Sequence, residues 1–440
     1  MQIHARQIRQ STPEPGPDPA SSGPVAAAPG SEDQPHPSPP SQRGLDWFVF
    51  FVADVQTGFG PFVSVYLTTQ KWTQVDIGLV LSVGAIVALL GQMPGGIIVD
   101  AARAERRVAG IALWVIAASA LCYALFPIFP VVFTAASLHA MASCVLGPCI
   151  VALSLGLVGY SGMGSRLGRN ARFASLGNGI SAAAMGAVGY YFSAQAVFFV
   201  TALLLVPALV ALSAIQPREV DPDLAHGASR TQHKEARASL RNVLRQQRLM
   251  ILCGCVALFH LANASMLPLM GSVMTMRSSE WATVLIAACI VVPQCIVALI
   301  SPWVGEKAQA WGRRWFVLAA FSALLVRGLL FATVTNPYLL VAVQVLDGIT
   351  AASLGVMVPL MVADISRGTG HFNFAQGIVG TAVGIGATIS PTLSGYISDN
   401  FSSSVAFLGL AAIAAAGLLA VWIMLPETRP EPPENEAAPA

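Results

Sequence analysis

Three charged residues stand inside long apolar runs of the chain: Asp54, Arg327 and Asp347. At the centre of a bilayer an ionised side chain costs at least a few kcal/mol unless it faces a cavity or a partner. Counted at about 1.5 Å per helical residue from the basic ends of their runs, Asp54 lies about 14 Å deep, Arg327 about 20 Å and Asp347 about 21 Å. An isolated carboxylate at that depth suits a proton carrier, and two opposite charges suit an ion pair.

Arg327 and Asp347 lie in successive runs at similar depths, which allows them to pair. The pair either fixes helix packing alone or is broken when a proton or a substrate binds, and both interpretations stay open. Asp54 has Gln56 and Thr57 as possible hydrogen-bond partners on its own helix. It is a candidate protonation or substrate site, with a polar packing contact and a wrongly placed span as the alternatives.

Two histidines and three amides complete the set of candidates for proton coupling or substrate binding. His139 and His260 carry imidazoles, which titrate near neutrality, so that His139 and Asp54 could form a relay. A lone histidine in a span is, however, more often a hydrogen-bonded packing residue. The amides that could orient a polar substrate are Gln56, Asn263 and Gln344.

The composition is that of a membrane protein. Hydrophobic residues make up 55% of the chain and charged residues 10%, with a mean hydropathy of +0.66, whereas soluble domains average about 45–50% apolar and 25% charged residues. Runs such as Val284–Ile300 approach the roughly 20 residues that a helix needs to cross the hydrocarbon core, and the alternating segments of a β-barrel are absent. We therefore predict an all-α membrane protein with no nucleic-acid partner.

No metal or cofactor site is predicted. The seven cysteines all fall inside apolar runs. Cys253 and Cys255 are too closely spaced for a zinc site, and on a helix their side chains point about 200° apart. They are interpreted as small packing residues.

Twelve spans are predicted, in two groups of six. The loops after even-numbered spans carry most of the arginines, so the positive-inside bias places these loops and both termini in the cytoplasm. The predicted segments are a disordered tail at 1–44, a first half at 45–215, a linker at 216–247, a second half at 248–425 and a disordered tail at 426–440. The predicted spans are 45–68, 75–99, 107–126, 129–153, 171–193, 196–215, 248–272, 281–303, 314–335, 338–361, 373–397 and 402–425.

One loop pattern occurs twice, after spans 2 and 8, about 209 residues apart. Its residues are Gly96, Asp100, Arg106 and Arg107 in the first copy, and Gly305, Gln309, Gly312, Arg313 and Arg314 in the second. His139 and Asp347 occupy matching places in spans 4 and 10 at nearly the same offset. A constant offset indicates a duplicated six-helix unit, with the two halves related by a pseudo-two-fold axis along the membrane normal.

Twelve spans, a central linker and a paired Gly-x-x-x-Asp-Arg-x-Gly-Arg-Arg-type loop resemble the major facilitator superfamily over residues 45–425. The resemblance implies that the paired loops latch the cytoplasmic side, with Asp100 as an acceptor that can bind arginine or cap a helix N-terminus. Because Gln309 replaces the acid of the second copy, the two latches are predicted to be unequal. The resemblance also places Asp347 near the transport pathway, with Arg327 as its support.

The resemblance favours a secondary transporter, not an enzyme, that moves a small organic molecule by alternating access and exports it in exchange for protons. Proton-coupled uptake of a metabolite is the alternative, and a non-transporting membrane sensor or scaffold is the alternative of another class. The expected partners are the substrate, protons and the lipid bilayer, with the proton gradient as energy source. The expected protein is a multi-pass monomer of the bacterial inner membrane.

Asp54→Asn is expected to abolish proton-coupled flux and to leave the protein folded, because an amide keeps the size of the carboxyl group but cannot carry its proton. The measurement is flux into proteoliposomes at several pH values, with a substrate found in a ligand-stabilisation screen. Wild-type flux with an unchanged pH dependence in the purified variant would contradict the assignment of Asp54.

Overall fold

The structure is a computed structural model that describes residues 37–57, 60–102, 104–227, 240–277 and 282–429. Every regular element in these ranges is helical, and no strand occurs in them. The helices are α1 Pro39–Thr57, α2 Gly60–Thr69, α3 Gln74–Ala101, α4 Glu105–Leu125, α5 Phe129–Tyr191, α6 Ala194–Leu203, α7 Leu205–Ala214, α8 Pro222–Ala225, α9 Leu240–Leu244, α10 Gln247–Asn263, α11 Met266–Arg277, α12 Ala282–Trp311, α13 Arg314–Thr333, α14 Pro337–Ser366, α15 Phe372–Asn400 and α16 Ser403–Met424.

The helices have the length and composition of membrane spans. In the described ranges, ten helical segments are long and apolar enough to cross a bilayer. A helix satisfies its backbone hydrogen bonds internally, which is what an apolar run needs in lipid. The predicted all-α, multi-pass membrane fold is confirmed, while the count of twelve spans stays a prediction.

Helix α5 contains a reversal of the chain. It has 63 residues, and Gly159 interrupts it with φ 64° and ψ −177°, a conformation that favours glycine. Asn170 donates from Nδ2 to Ser154 Oγ at 2.7 Å, although sixteen residues of straight helix would separate the two by about 24 Å. The chain therefore turns back at Gly159, between a first arm at 129–158 and a second arm at 160–191.

Each half of the chain has an apolar core of its own. One core is built from buried residues between Leu45 and Ala225, and the other mainly from residues between Val243 and Leu425. The second core also takes in Leu155, Met163 and Leu167 of α5. The two halves are thus separate packing units that share the region around the reversal in α5.

Glycines allow the halves to approach closely at one end of the bundle. This end, where α3 and α12 finish and α4, α13 and α15 begin, is called the basic end below. A Cβ on Gly96 of α3 would lie 2.2 Å from the Asn373 carbonyl oxygen of α15, and a Cβ on Gly168 of α5 would lie 2.4 Å from the Ser301 carbonyl oxygen of α12. Small residues are what such close helix approach requires. Towards the other end of α5, Gly186 has open space around it.

The second arm of α5 corrects the predicted loop between spans 4 and 5. The arginines of residues 166–172 predict a loop at 154–170, but apart from Gly159 these residues are helical. Arg166 is only 4% exposed, because it pairs with Asp46 of α1 at 2.5 Å. The positive charges of residues 166–172 wrongly indicated a solvent-exposed loop, because the acid partner of Arg166 on α1 allows this arginine to be buried within the bundle.

The start of α1 is more ordered than predicted, and it contacts the linker. Helix α1 begins at Pro39, within the predicted disordered tail 1–44. Ser38 donates to Glu219 Oε2 from its backbone nitrogen at 3.1 Å and from its hydroxyl at 3.0 Å, which ties this polar turn to the linker. The linker itself forms α8, whose first turn is capped by the carboxylate of Asp221. Residues 228–239 of the linker lie outside the described ranges.

The C-terminal segment is also packed further than predicted. Glu427 lies in the predicted disordered tail 426–440, yet its carboxylate accepts hydrogen bonds from the backbone nitrogens of Arg313 at 2.9 Å and Arg314 at 3.1 Å. These two residues are at the start of α13, where backbone N–H groups have no partner within the helix. Residues 426–429 therefore belong to the basic end, and residues 430–440 lie outside the described ranges.

Candidate functional site

Arg327 is the centre of a buried polar cluster in the second half. It lies on α13 and is 1% exposed. Its Nη1 donates to Asp347 Oδ1 of α14 at 2.5 Å and to Asn263 Oδ1, at the end of α10, at 2.7 Å. The guanidinium also lies over the Phe331 ring, with its Cζ 5.3 Å from the ring centroid. The acid and the amide together offset the cost of burying this cation.

Asp347 is the open member of the pair. Its side chain is 22% exposed, against 1% for Arg327, so a proton or a polar ligand can reach the carboxyl group while the guanidinium stays enclosed. Gln344 is fully buried one turn earlier on α14, and His260 lies one turn before Asn263 on α10. Residues three apart on a helix share a face. The structure therefore brings five of the predicted candidates into one region.

The other candidates belong to the first half. His139 lies on the first arm of α5, and its side chain is half-buried. Asp54 and Gln56 lie on α1, but their side chains are outside the described part of the structure. Their predicted roles stay predictions.

Asp100 joins the two halves at the basic end. It is 4% exposed, and its Oδ1 accepts from the backbone nitrogen of Asn373 at 3.1 Å and from the Asn373 Nδ2 at 2.9 Å, while Oδ2 accepts from the backbone nitrogen of Phe374 at 2.7 Å. These backbone donors lie in the first turn of α15, where the helix dipole favours a negative charge. An acid of the first half thus caps a helix of the second half.

His226 of the linker is inserted beside this cap. It is 5% exposed, with Nδ1 3.7 Å from Asp100 Oδ1 and Nε2 3.2 Å from Glu105 Oε1 of α4. Its carbonyl oxygen accepts from the backbone nitrogen of Phe372, at the start of α15, at 3.2 Å. The linker therefore touches both halves at the place where they meet.

Gln309 stands in the second copy of the loop where the first copy has Asp100. Its Nε2 donates to the Ser161 carbonyl oxygen of α5 at 3.2 Å, and its Oε1 accepts from Arg313 Nη2 at 3.2 Å. A carboxylate could not donate to a carbonyl oxygen, so the amide suits this partner. Just beyond, Gly312 turns the chain between α12 and α13 with φ 86°. Both copies contact the opposite half, but Asp100 accepts hydrogen bonds there whereas Gln309 donates one.

One arginine near the end of each copy binds to the last helix of its own half. Arg106 donates to the Leu212 carbonyl oxygen, near the end of α7, from Nε at 3.2 Å and from Nη2 at 3.0 Å. Arg314 donates from Nη2 to the Trp422 carbonyl oxygen near the end of α16. Cations are favourable at the C-termini of helices. Arg106 and Arg314 thus make matching contacts in the two halves, in agreement with the duplicated sequence. Arg107 is exposed.

Three buried acids of the basic end were not among the predicted residues. Glu105 of α4 lies beside His226, and the other two pair with arginines. Asp46 of α1 pairs with both Arg166 and Arg169 of α5, and Asp364 of α14 accepts from Arg313 Nε at 3.1 Å. Each acid stands within a few residues of the end of an apolar run, where a charge is ordinarily solvated. The sequence carries no local signal for either pairing, because Arg166 lies 120 residues from Asp46 and Arg313 lies 51 residues from Asp364.

The Major Facilitator Superfamily model matches residues 47–308 and 290–440. The chain belongs to the Major Facilitator Superfamily. It is 39% identical over 394 residues to an uncharacterized MFS-type transporter of Mycobacterium tuberculosis, covering 88% of this chain and 93% of that protein. The fold predicted from the paired loops is confirmed, and membership of this family makes the chain a membrane transport protein.

Solved structures of low sequence identity share the fold of this MFS chain. The E. coli fucose:proton symporter FucP matches with a TM-score of 0.69 at 15% identity, over 86% of this chain and 97% of FucP. A crystal structure of FucP in the outward conformation matches with the same TM-score at 14% identity. At such identities the likeness concerns the fold alone.

Asp347→Ala is expected to lower the melting temperature of this MFS protein more than Asp347→Ala combined with Arg327→Leu. The single change leaves a buried cation without its acid, a loss of about 3–5 kcal/mol, whereas replacing both charges by apolar groups is often nearly neutral. The measurement is thermal unfolding of the purified variants in detergent. Equal expression and equal melting of the single and double variants would contradict the energetic role of the pair.

Proposed function

We propose that this MFS chain moves a small organic molecule by alternating access and exports it in exchange for protons. The observation that carries the proposal is the cap that Asp100 places on α15 across the two halves. Each half has its own apolar core, so these hydrogen bonds can break without unfolding either half. A contact that closes one end of the bundle and can open again is what a transporter needs in order to expose one binding site alternately to the two sides of the membrane.

The Arg327–Asp347 pair is the proposed centre for coupling. The open Asp347 carboxyl group can take up a proton, which would remove the charge that holds Arg327 and Asn263 in place. Protonation and a change of helix contacts would then be one event. A strongly anionic substrate would need several cavity cations, so this region favours a weakly charged or fairly apolar molecule.

Proton-coupled uptake is the alternative direction, because the same cap and the same ion pair serve it equally well. A sensor or scaffold without flux is the alternative of another class, and it would have no need of a closure that breaks. The proposed setting is the bacterial inner membrane, as a monomer with the basic end and both termini in the cytoplasm. The alternation of basic loops and the mycobacterial relative support this setting.

Asp100→Asn is expected to open the basic end more often, because the amide removes the charge from a cap of three hydrogen bonds. Hydrogen bonds to a charged group contribute about 1.5–3 kcal/mol, so a cysteine in the closed contact should be alkylated about tenfold faster or more. The reporter is Ser301→Cys, a fully buried position where α12 meets α5, labelled with a membrane-impermeant maleimide. The background labelling by the maleimide is measured on the same protein without the Ser301→Cys substitution.

Asp76→Asn is the matched control for this substitution. Asp76 is a partly exposed acid in the first turn of α3, at the other end of the bundle, where it accepts from the Thr73 hydroxyl at 2.7 Å. It should leave both labelling and transport unchanged. Unchanged labelling in Asp100→Asn would overturn the gating proposal, and the absence of any flux in the wild-type protein would favour the sensor.

The direction of transport is tested in inverted membrane vesicles under an inside-acid gradient. Antiport predicts that the substrate accumulates inside the vesicles, because protons leaving the lumen drive it inwards. Uptake symport predicts that preloaded substrate is released. Accumulation that an uncoupler fails to abolish would contradict proton coupling in either direction.

A further inference from the structure

Three tryptophans surround a cavity at the basic end of the second half. Trp311 ends α12, Trp315 is in the first turn of α13, and Trp422 is in the last turn of α16; they are 54%, 60% and 57% exposed. The cavity has a volume of about 350 Å³. Its other lining residues are Gly312, Arg314, Leu318, Glu427 and Arg429.

The lining changes from apolar to charged along the bundle. Leu318 lies one turn deeper in α13 than Arg314, and Arg429 lies in the segment that follows α16. Arg314 also lies over the Trp422 ring, with its Cζ 5.8 Å from the ring centroid. Tryptophans are enriched where a membrane protein meets the headgroup region. The cavity therefore has the polarity of a lipid molecule, with an apolar floor and a basic rim.

The one carboxylate in the cavity does not neutralise the two arginines by pairing with their side chains. Glu427 accepts instead from four backbone nitrogens, at 2.9–3.1 Å. Burial raises the pKa of Glu427, but these backbone donors outweigh it and keep the pKa below its usual value. The carboxylate is thus ionised and fully engaged in holding the start of α13. Two guanidinium groups and one carboxylate leave the cavity with one net positive charge.

The arginines keep hydrogen-bond donors free. A guanidinium has five N–H donors. Arg429 Nη1 donates to the Ala310 carbonyl oxygen at 2.8 Å, and Arg314 Nη2 donates to the Trp422 carbonyl oxygen. Arg314 Nε is buried and has no hydrogen-bond partner among the described residues. The rim therefore presents unused donors beside apolar rings.

We propose that this cavity binds the phosphodiester headgroup of an anionic phospholipid, with Arg314 and Arg429 on the phosphate and an acyl chain along Trp315 and Leu318. Guanidinium groups bind phosphate oxygens in a planar, bidentate manner, and basic pockets between membrane helices are suited to anionic headgroups. The site is specific to the second half. In the first half, Arg106 makes the contact that matches Arg314, and the residue that follows it is Arg107, whereas Trp315 follows Arg314.

The test uses the purified full chain in dodecyl maltoside micelles, titrated with dioleoyl phosphatidylglycerol while the melting temperature is followed. We expect saturable stabilisation, and little from dioleoyl phosphatidylcholine at the same mole fraction. Arg429→Gln should raise the half-saturating mole fraction about fivefold, as expected for one arginine near an anionic headgroup, and Trp315→Leu should weaken stabilisation as well. These variants are preferred to Arg314→Gln because Arg314 also binds the end of α16.

Arg107→Gln is the matched control, because it removes an exposed arginine from the basic end of the half that has no tryptophan at this place. It should keep the wild-type response to phosphatidylglycerol. Equal stabilisation by phosphatidylcholine, or an unchanged midpoint in both Arg429→Gln and Trp315→Leu, would overturn the proposal. Glycerol 3-phosphate alone, if it reproduced the full shift, would assign the site to a soluble phosphate and would overturn the lipid.

Discussion

The hydrogen bonds between Asp100 and the first turn of α15 are the contact on which the closed basic end depends. A helix N-terminus buried in a membrane protein leaves backbone N–H groups that need an acceptor, and here the acceptor comes from the other half of the molecule. The close approach of α3 and α15 at Gly96 follows from this, since the carboxylate could not reach the helix if a side chain stood between them. His226 of the linker fills the space beside the cap, so the segment that joins the halves covalently also belongs to their closure.

The duplication has produced two halves with unlike chemistry at the same place. Where the first half has Glu105 facing His226, the second has Arg313 facing Asp364, so the sign of the charge on the loop is reversed. Asp100 accepts hydrogen bonds from a helix start, whereas Gln309 donates one to a carbonyl oxygen. The acid cap depends on charge and the amide contact does not, so the two crossings between the halves respond differently to protonation and to salt.

The parts of this protein that could be predicted from sequence are those that depend on local composition or on repetition. Apolar runs indicated the helices, and the repeated loop indicated the family and the place of Asp100. Arg327 and Asp347 could be paired because they occupy neighbouring runs at similar depths. Asp46 could not be assigned, since its partners Arg166 and Arg169 lie more than a hundred residues away and their charges resemble a loop. Nor could His226 or Glu427, whose roles arise only from what the folded basic end places beside them.

The reversal at Gly159 has a mechanical consequence. The first arm of α5 carries His139 and packs in the first half, while the second arm carries Gly164 and Gly168, which touch α12 of the second half. A hydrogen bond between Ser154 and Asn170 ties the two arms together beside the turn, and no loop lies between them to absorb motion. A displacement of one arm is therefore expected to move the other arm as well. The packing of the first arm in the first half and the contact of the second arm with α12 are in this way coupled through Gly159 and the Ser154–Asn170 hydrogen bond.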